Sequence, residues 1–110
     1  MRGNWVQIVV TVSEGDAKPI LEAMGKAGAG KLGEYTFCSF TTAGMGRFLP
    51  GADAQPHVGE VGQVSTEPEL RIETFCKRNV ARDVVQAIRW AHPYEEPIIY
   101  IVPLLDEDTL

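Results

Sequence analysis

The sequence predicts an α+β domain: a four-stranded antiparallel sheet with two helices on one face and an extra hairpin in the middle segment. Three observations predict it. Two amphipathic stretches of helical period each lie between stretches rich in β-branched and aromatic residues. The two halves repeat one strand–helix–strand plan, with MGKAG at 24–28 standing where IRWAH stands at 88–92. The chain has 110 residues, 45% hydrophobic and 23% charged, which fits one compact domain over 1–110 and leaves no room for a second.

The first strand is expected over 5–12, where Val6, Ile8, Val10 and Val12 share one face and Trp5, Gln7, Val9 and Thr11 the other. Asp16 is placed to cap a helix over 17–27, with Pro19 tolerated in its first turn and Gly28 stopping it. A second strand is expected over 35–42 as the partner of the first, because Tyr35, Phe37, Phe40 and two threonines favour a pleated surface. From 43 to 68 glycine and proline accumulate, and extended pieces at 46–49 and 58–64 are expected to form a protruding hairpin. A strand over 70–76 follows, then a helix over 80–91 capped by Asn79, with Val80, Val84, Ile88 and Ala91 as its buried stripe. Pro93 forbids further helix, 98–103 makes the last strand, and the acidic tail 105–110 is expected to be disordered.

The order βαββαβ is the ferredoxin-like arrangement. Its helices cover one face of the sheet only, yet the other face does not read polar: the last strand is apolar on both parities, and Trp5, Val9, Tyr35 and Phe37 add to the surplus. A large apolar patch is rare on a soluble monomer, so a closed homo-oligomer that buries this face is expected.

A net charge of -5 and the absence of any Lys/Arg run argue against nucleic acid as a partner. No apolar run approaches a membrane span, and the N-terminus lacks the apolar core of a signal peptide. Cys38 and Cys76 have no CxxC spacing and are too few for a disulfide scaffold, so a reduced, cytoplasmic setting is expected.

Five motifs occur in a telling order: GAGKLGEY at 28–35, CSF at 38–40, GMG at 44–46, GEVG at 59–62 and AHPYEEP at 91–97. Together they resemble the domain inserted in NIF-three-like proteins. That insert is similar to the PII and CutA group, and the resemblance covers nearly the whole chain. It implies a PII/CutA-like fold and a trimer. Full-length NIF-three-like proteins hold a two-metal site in domains flanking the insert. The chain is expected to run from the first to the last strand of the insert, so that site and any hydrolase activity are not expected to carry over.

The densest group of chemistry-bearing residues is HPYEEP at 92–97. His92 can favour a helix C-terminus through the dipole while Pro93 and Pro97 shape the junction, a purely structural role. The same residues can also converge as a site, with His92 as a switchable base or ligand, Tyr94 beside it, and Glu95 or Glu96 as carboxylate partner. A small molecule, a small anion or a divalent metal held by His92 and Glu96 is the expected kind of ligand, in a cleft between subunits. Arg47 and Glu60 of the glycine-rich segment are expected to complete that cleft. Two protein ligands per chain would leave a metal dependent on neighbouring subunits. No cofactor is assured. GAGKLG at 28–33 matches GxGxxG but follows a helix and precedes a strand, the reverse of a dinucleotide site, and so reads as a turn. His57 reads as a surface residue.

The reading that results is an oligomeric ligand-binding or interaction module without a catalytic motif. One rival is a small enzyme using His92 with Glu95 or Glu96 as acid–base pair. Another is a structural partner for a separately encoded NIF-three-like metal protein.

Overall fold

The computed structural model describes residues 1–110. Its elements in chain order are β1 Trp5–Ser13, α1 Ala17–Lys26, β2 Phe40–Phe48, β3 Ser65–Lys77, α2 Ala81–Ala91 and β4 Ile99–Pro103. The strands form one antiparallel sheet in the order β2-β3-β1-β4. This is the ferredoxin-like sheet predicted, with one correction: β2 is an edge strand beside β3, and the neighbours of β1 are β3 and β4.

The helix-covered side is the core. Val6, Ile8, Val10 and Val12 of β1 pack with Ile72 and Cys76 of β3 under Ile20 and Met24 of α1 and Val84 and Ile88 of α2. Most of these side chains are fully buried, and each buried Ile or Val contributes about 1.5–3 kcal/mol by leaving water. Neither predicted cap operates. The side chains of Asp16 and Asn79 bond no helix N–H, because each helix is entered through a 3-10 turn, Glu14–Asp16 and Arg78–Val80.

The second strand lies five residues later than expected. Residues 36–39 double back onto the body instead: the Cys38 N–H donates to Gly30 O at 3.0 Å, and the Cys38 carbonyl accepts the Thr74 hydroxyl at 2.8 Å. Phe37 adopts a left-handed φ of 59°, and its ring lies against Gly25, where a Cβ would overlap it. An uncommon backbone conformation for a bulky residue is thus held by tertiary packing.

Beyond the sheet, β2 and β3 continue as a two-stranded ribbon to Phe48 opposite Ser65, and the molecule reaches 49 Å along its longest axis. The expected hairpin exists, but its arms are these two long strands, and residues 58–64 are turn and bend, not strand. The tail is also ordered. Residues Glu107–Thr109 form a 3-10 turn, Asp106 accepts the Gly3 N–H at 3.0 Å, and Glu107 pairs with the Met1 ammonium at 2.6 Å.

The helix-free face is mixed and not uniformly apolar. Trp5 and Phe75 pack with ring centroids 5.6 Å apart, and Val9 is buried. Between them run Gln7, which donates to Glu73 at 2.9 Å, and Arg71, 3.6 Å from the same carboxylate. Tyr35 and Phe37 lie outside the sheet and do not add to this face. Exposed apolar groups remain at its two edges, Phe40 on β2 and Tyr100 and Val102 on β4.

Candidate functional site

Where the ribbon leaves the body, a cleft of about 240 Å³ opens between the ribbon, the loop after it and the junction between α2 and β4. The junction is shaped by His92 and Pro93. His92 takes an extended backbone (φ -78°, ψ 131°) and its N–H closes the helix on Ile88 O at 2.9 Å, while Pro93 prevents another turn.

The His92 ring is buried, 7% exposed, and both its nitrogens are occupied. Nδ1 accepts the Tyr94 N–H at 3.1 Å, which assigns the proton to Nε2, which donates to Thr11 O at 2.9 Å. Burial lowers its pKa, against the opposing pull of the Thr11 carbonyl and the Asp16 and Glu69 charges. His92 therefore ties the junction to β1, and the expected role as switchable base or metal ligand is corrected: neither nitrogen is free, and the ring does not line the cleft.

Tyr94 crosses from the junction to the sheet. Its ring meets His92 edge-on at 4.6 Å, and its hydroxyl accepts the Ser13 N–H at 3.0 Å and donates to Glu69 Oε2 at 3.1 Å. Burial raises the phenol pKa, so it stays a donor at neutral pH. Glu69, on β3, lies over Gly46 of β2: a Cβ there would overlap the Glu69 carboxylate.

The outer wall is the loop. His57 Nε2 stands 3.2 Å from Asp16 Oδ2, with the His57 ring 5.9 Å from that of Tyr94. The Ser13 hydroxyl donates to Asp16 at 2.7 Å, and this bond, with His57 adding to it, holds the Asp16 carboxyl below its usual range. The Gln55 N–H donates to the Glu95 carboxylate at 3.2 Å, a second tie between loop and junction.

Of the residues expected to form a site, Arg47, Tyr94, Glu95 and Glu96 all line the cleft. They do so within one protomer. Glu60 does not: it sits on the exposed turn at the ribbon tip, where its carbonyl accepts the Gln63 N–H. Sequence reasoning missed Glu69, His57 and Asp16. His57 sits in a Gly/Pro-rich stretch whose spacing fixes no geometry, and Asp16 resembled a helix cap. No group of three or more His, Cys, Asp or Glu side chains is disposed to hold a metal ion. Cys76 is buried, and burial raises its thiol pKa, away from nucleophilic use. No helix is long and apolar enough to cross a membrane.

No family model matches the chain. Among curated proteins it is similar to the GTP cyclohydrolase 1 type 2 homolog of Listeria monocytogenes, 39% identical over 101 residues that make up 91% of this chain and 27% of that protein. The Bacillus subtilis protein of the same name is 38% identical over 98 residues, 89% of this chain and 26% of that protein. The chain thus spans about a quarter of the length of these relatives. Among solved structures, a Bacillus cereus protein related to NIF3 superposes with a TM-score of 0.80 at 36% identity, over 94% of this chain and 26% of that one. The periplasmic divalent cation tolerance protein CutA of Archaeoglobus fulgidus gives 0.65 at 16% identity, over 96% of this chain and 91% of that one. GlnK of Bacillus subtilis, solved as an ATP complex, gives 0.64 at 12%, over 94% and 84%. The fold is PII/CutA-like, and the sequence is similar to a domain-sized segment of a NIF3-related protein and of the GTP cyclohydrolase 1 type 2 homologs.

Proposed function

We propose, from the premise of a PII/CutA-like domain similar to a segment of NIF3-related proteins, that this chain is an oligomeric ligand-binding module whose ligand occupies the Tyr94 cleft. The observation that carries this is convergence: residues 47, 57, 69 and 94–96, from four separate stretches of chain, line one concavity next to an apolar wall of Phe48, Leu49, Pro56 and Ile98. Of the ligands expected from the sequence, a divalent ion would need carboxylates from a second protomer beside Glu96, and a small anion has Arg47 as its one fixed cation. The test is a thermal-shift panel of divalent cations, small anions and small organic molecules. At least one should raise the melting temperature of the native chain and fail to do so in Glu96→Ala and Tyr94→Ala. A panel with no stabilising compound would count against the cleft.

Assembly as a homotrimer fits the exposed apolar groups at the sheet edges and the PII/CutA-like fold. Light scattering should give about three times the 12.1 kDa chain mass. A single-chain mass at micromolar concentration would reject it.

A second reading is favoured by the relatives' length. A domain that matches a quarter of each can serve as a partner for chains resembling the remainder. Co-purification of the full chain with such a protein would support it, and free passage of both through a sizing column would oppose it.

A further inference from the structure

Resting on the cleft reading above, we infer that its ligand is a small molecule with an apolar body and a protonated amine, and that Glu69 is the group that receives the amine. The charges lining the cleft are unequal. Glu69, Glu95 and Glu96 face Arg47 and His57, and the His57 ring is already matched by Asp16 behind it. An anion would meet more carboxylate than cation.

Among the three glutamates, Glu69 is the one built into position. Its Oε2 is fixed by the Tyr94 hydroxyl, and its Oε1 lies against Gly46, in the space a side chain there would fill. Its Oε1 accepts no hydrogen bond from the protein, and Glu69 forms no ion pair, with Arg47 or any other cation. The Tyr94 hydroxyl is its one hydrogen-bond partner, and an ammonium placed against Oε1 would supply a charge-assisted bond. Glu95 differs, because the Gln55 N–H already occupies it, and Glu96 is exposed at the rim.

The remaining walls decide the other end of the molecule. Phe48, Leu49, Pro56 and Ile98 offer apolar surface, and the volume of about 240 Å³ falls below the roughly 300–1,000 Å³ of pockets for drug-sized ligands. A compact arylalkyl or branched alkyl amine fits both conditions. A bare metal ion fits neither the wall nor the ligand count.

The experiment titrates the full chain by NMR with phenethylamine, hydrocinnamate and phenethyl alcohol, which share a ring and differ in charge. Phenethylamine should shift the resonances of Tyr94 and Ile98 saturably, and Glu69→Gln should weaken it by about tenfold or more. Gly46→Ala, which displaces the carboxylate without removing it, should weaken it as well and covers the case in which Glu69→Gln does not fold. Hydrocinnamate or the alcohol binding as well as the amine would overturn the amine assignment while leaving the cleft a binding site. Resonances unmoved by all three would overturn both.

Discussion

The strands β2 and β3 run through both the body and the ribbon of this molecule and are held by different forces in each. In the body, β3 presents Ile72 and Cys76 to two helices and both are buried; in the ribbon, the same strand and β2 have no helical cover, and Met45 is mostly exposed. Each region has one histidine. His92 is buried, with a backbone partner on each ring nitrogen, whereas His57 is exposed and bonded to the Asp16 carboxylate. Stability is concentrated where helices cover the sheet. The candidate cleft lies at the seam, supported by the body and closed by a loop held through the Gln55–Glu95 and His57–Asp16 contacts.

The comparison breaks most readily at the core. Ile8→Ala, under both helices, should cost about 2–5 kcal/mol in urea unfolding, whereas Met45→Ala on the ribbon should stay within about 0.5 kcal/mol. Equal losses would mean that the ribbon folds as part of the core.

Next in size is His92→Ala, which removes a partner from both the Thr11 carbonyl and the Tyr94 N–H and should cost about 1–3 kcal/mol. The same residue gives a pH signature. Its folded pKa lies below the ordinary value of about 6.5, so between the two values the unfolded chain binds the extra proton. Its contribution is complete above the ordinary value and is lost as pH falls through that value toward the folded one. Thermal melts of the native chain should therefore drop on acidification from neutral pH, and His92→Gln should drop less over the same window. Matching slopes would assign the acid sensitivity to other groups.

The smallest effect is expected at the loop. His57→Ala should change global stability by no more than about 0.5 kcal/mol, as for an exposed pair, while hydrogen exchange at residues 54–58 becomes faster. Unchanged exchange would show that the Asp16 contact does not hold the loop.

Much of the body was legible in the sequence, because apolar periodicity reports burial directly: the β1 face of Val6, Ile8, Val10 and Val12 and the α2 stripe of Val84 and Ile88 are both core. The pairing error at β2 has a physical source. Residues 35–39 have strand composition, but Gly30 and Gly25 let them fold onto the body, and long-range contact overrides local propensity. A cue was present in β1, where Val9 and Trp5 are apolar on the second parity, as suits a strand buried on both faces in the middle of a sheet. The run of glycine and proline from 43 suggested a break before the extended piece at 46–49, yet Phe40–Phe48 is one strand, and Gly46 is where it is because Glu69 needs the room. The site was half legible: Arg47, Tyr94, Glu95 and Glu96 are polar residues in short, distinctive motifs. Glu69, His57 and Asp16 join them only through pairing register and loop path, which no local spacing encodes.

The first and last residues lie side by side, joined by the ion pairs of Arg2 with Glu107 and Asp108 and by the hydrogen bond from the Gly3 N–H to Asp106. A unit whose two ends meet can be grafted into a surface turn of a host chain without prising its sheet apart. The Met1 ammonium contact would be given up and the Gly3 bond kept. A circular permutant joined across that seam and reopened at the ribbon tip should still fold.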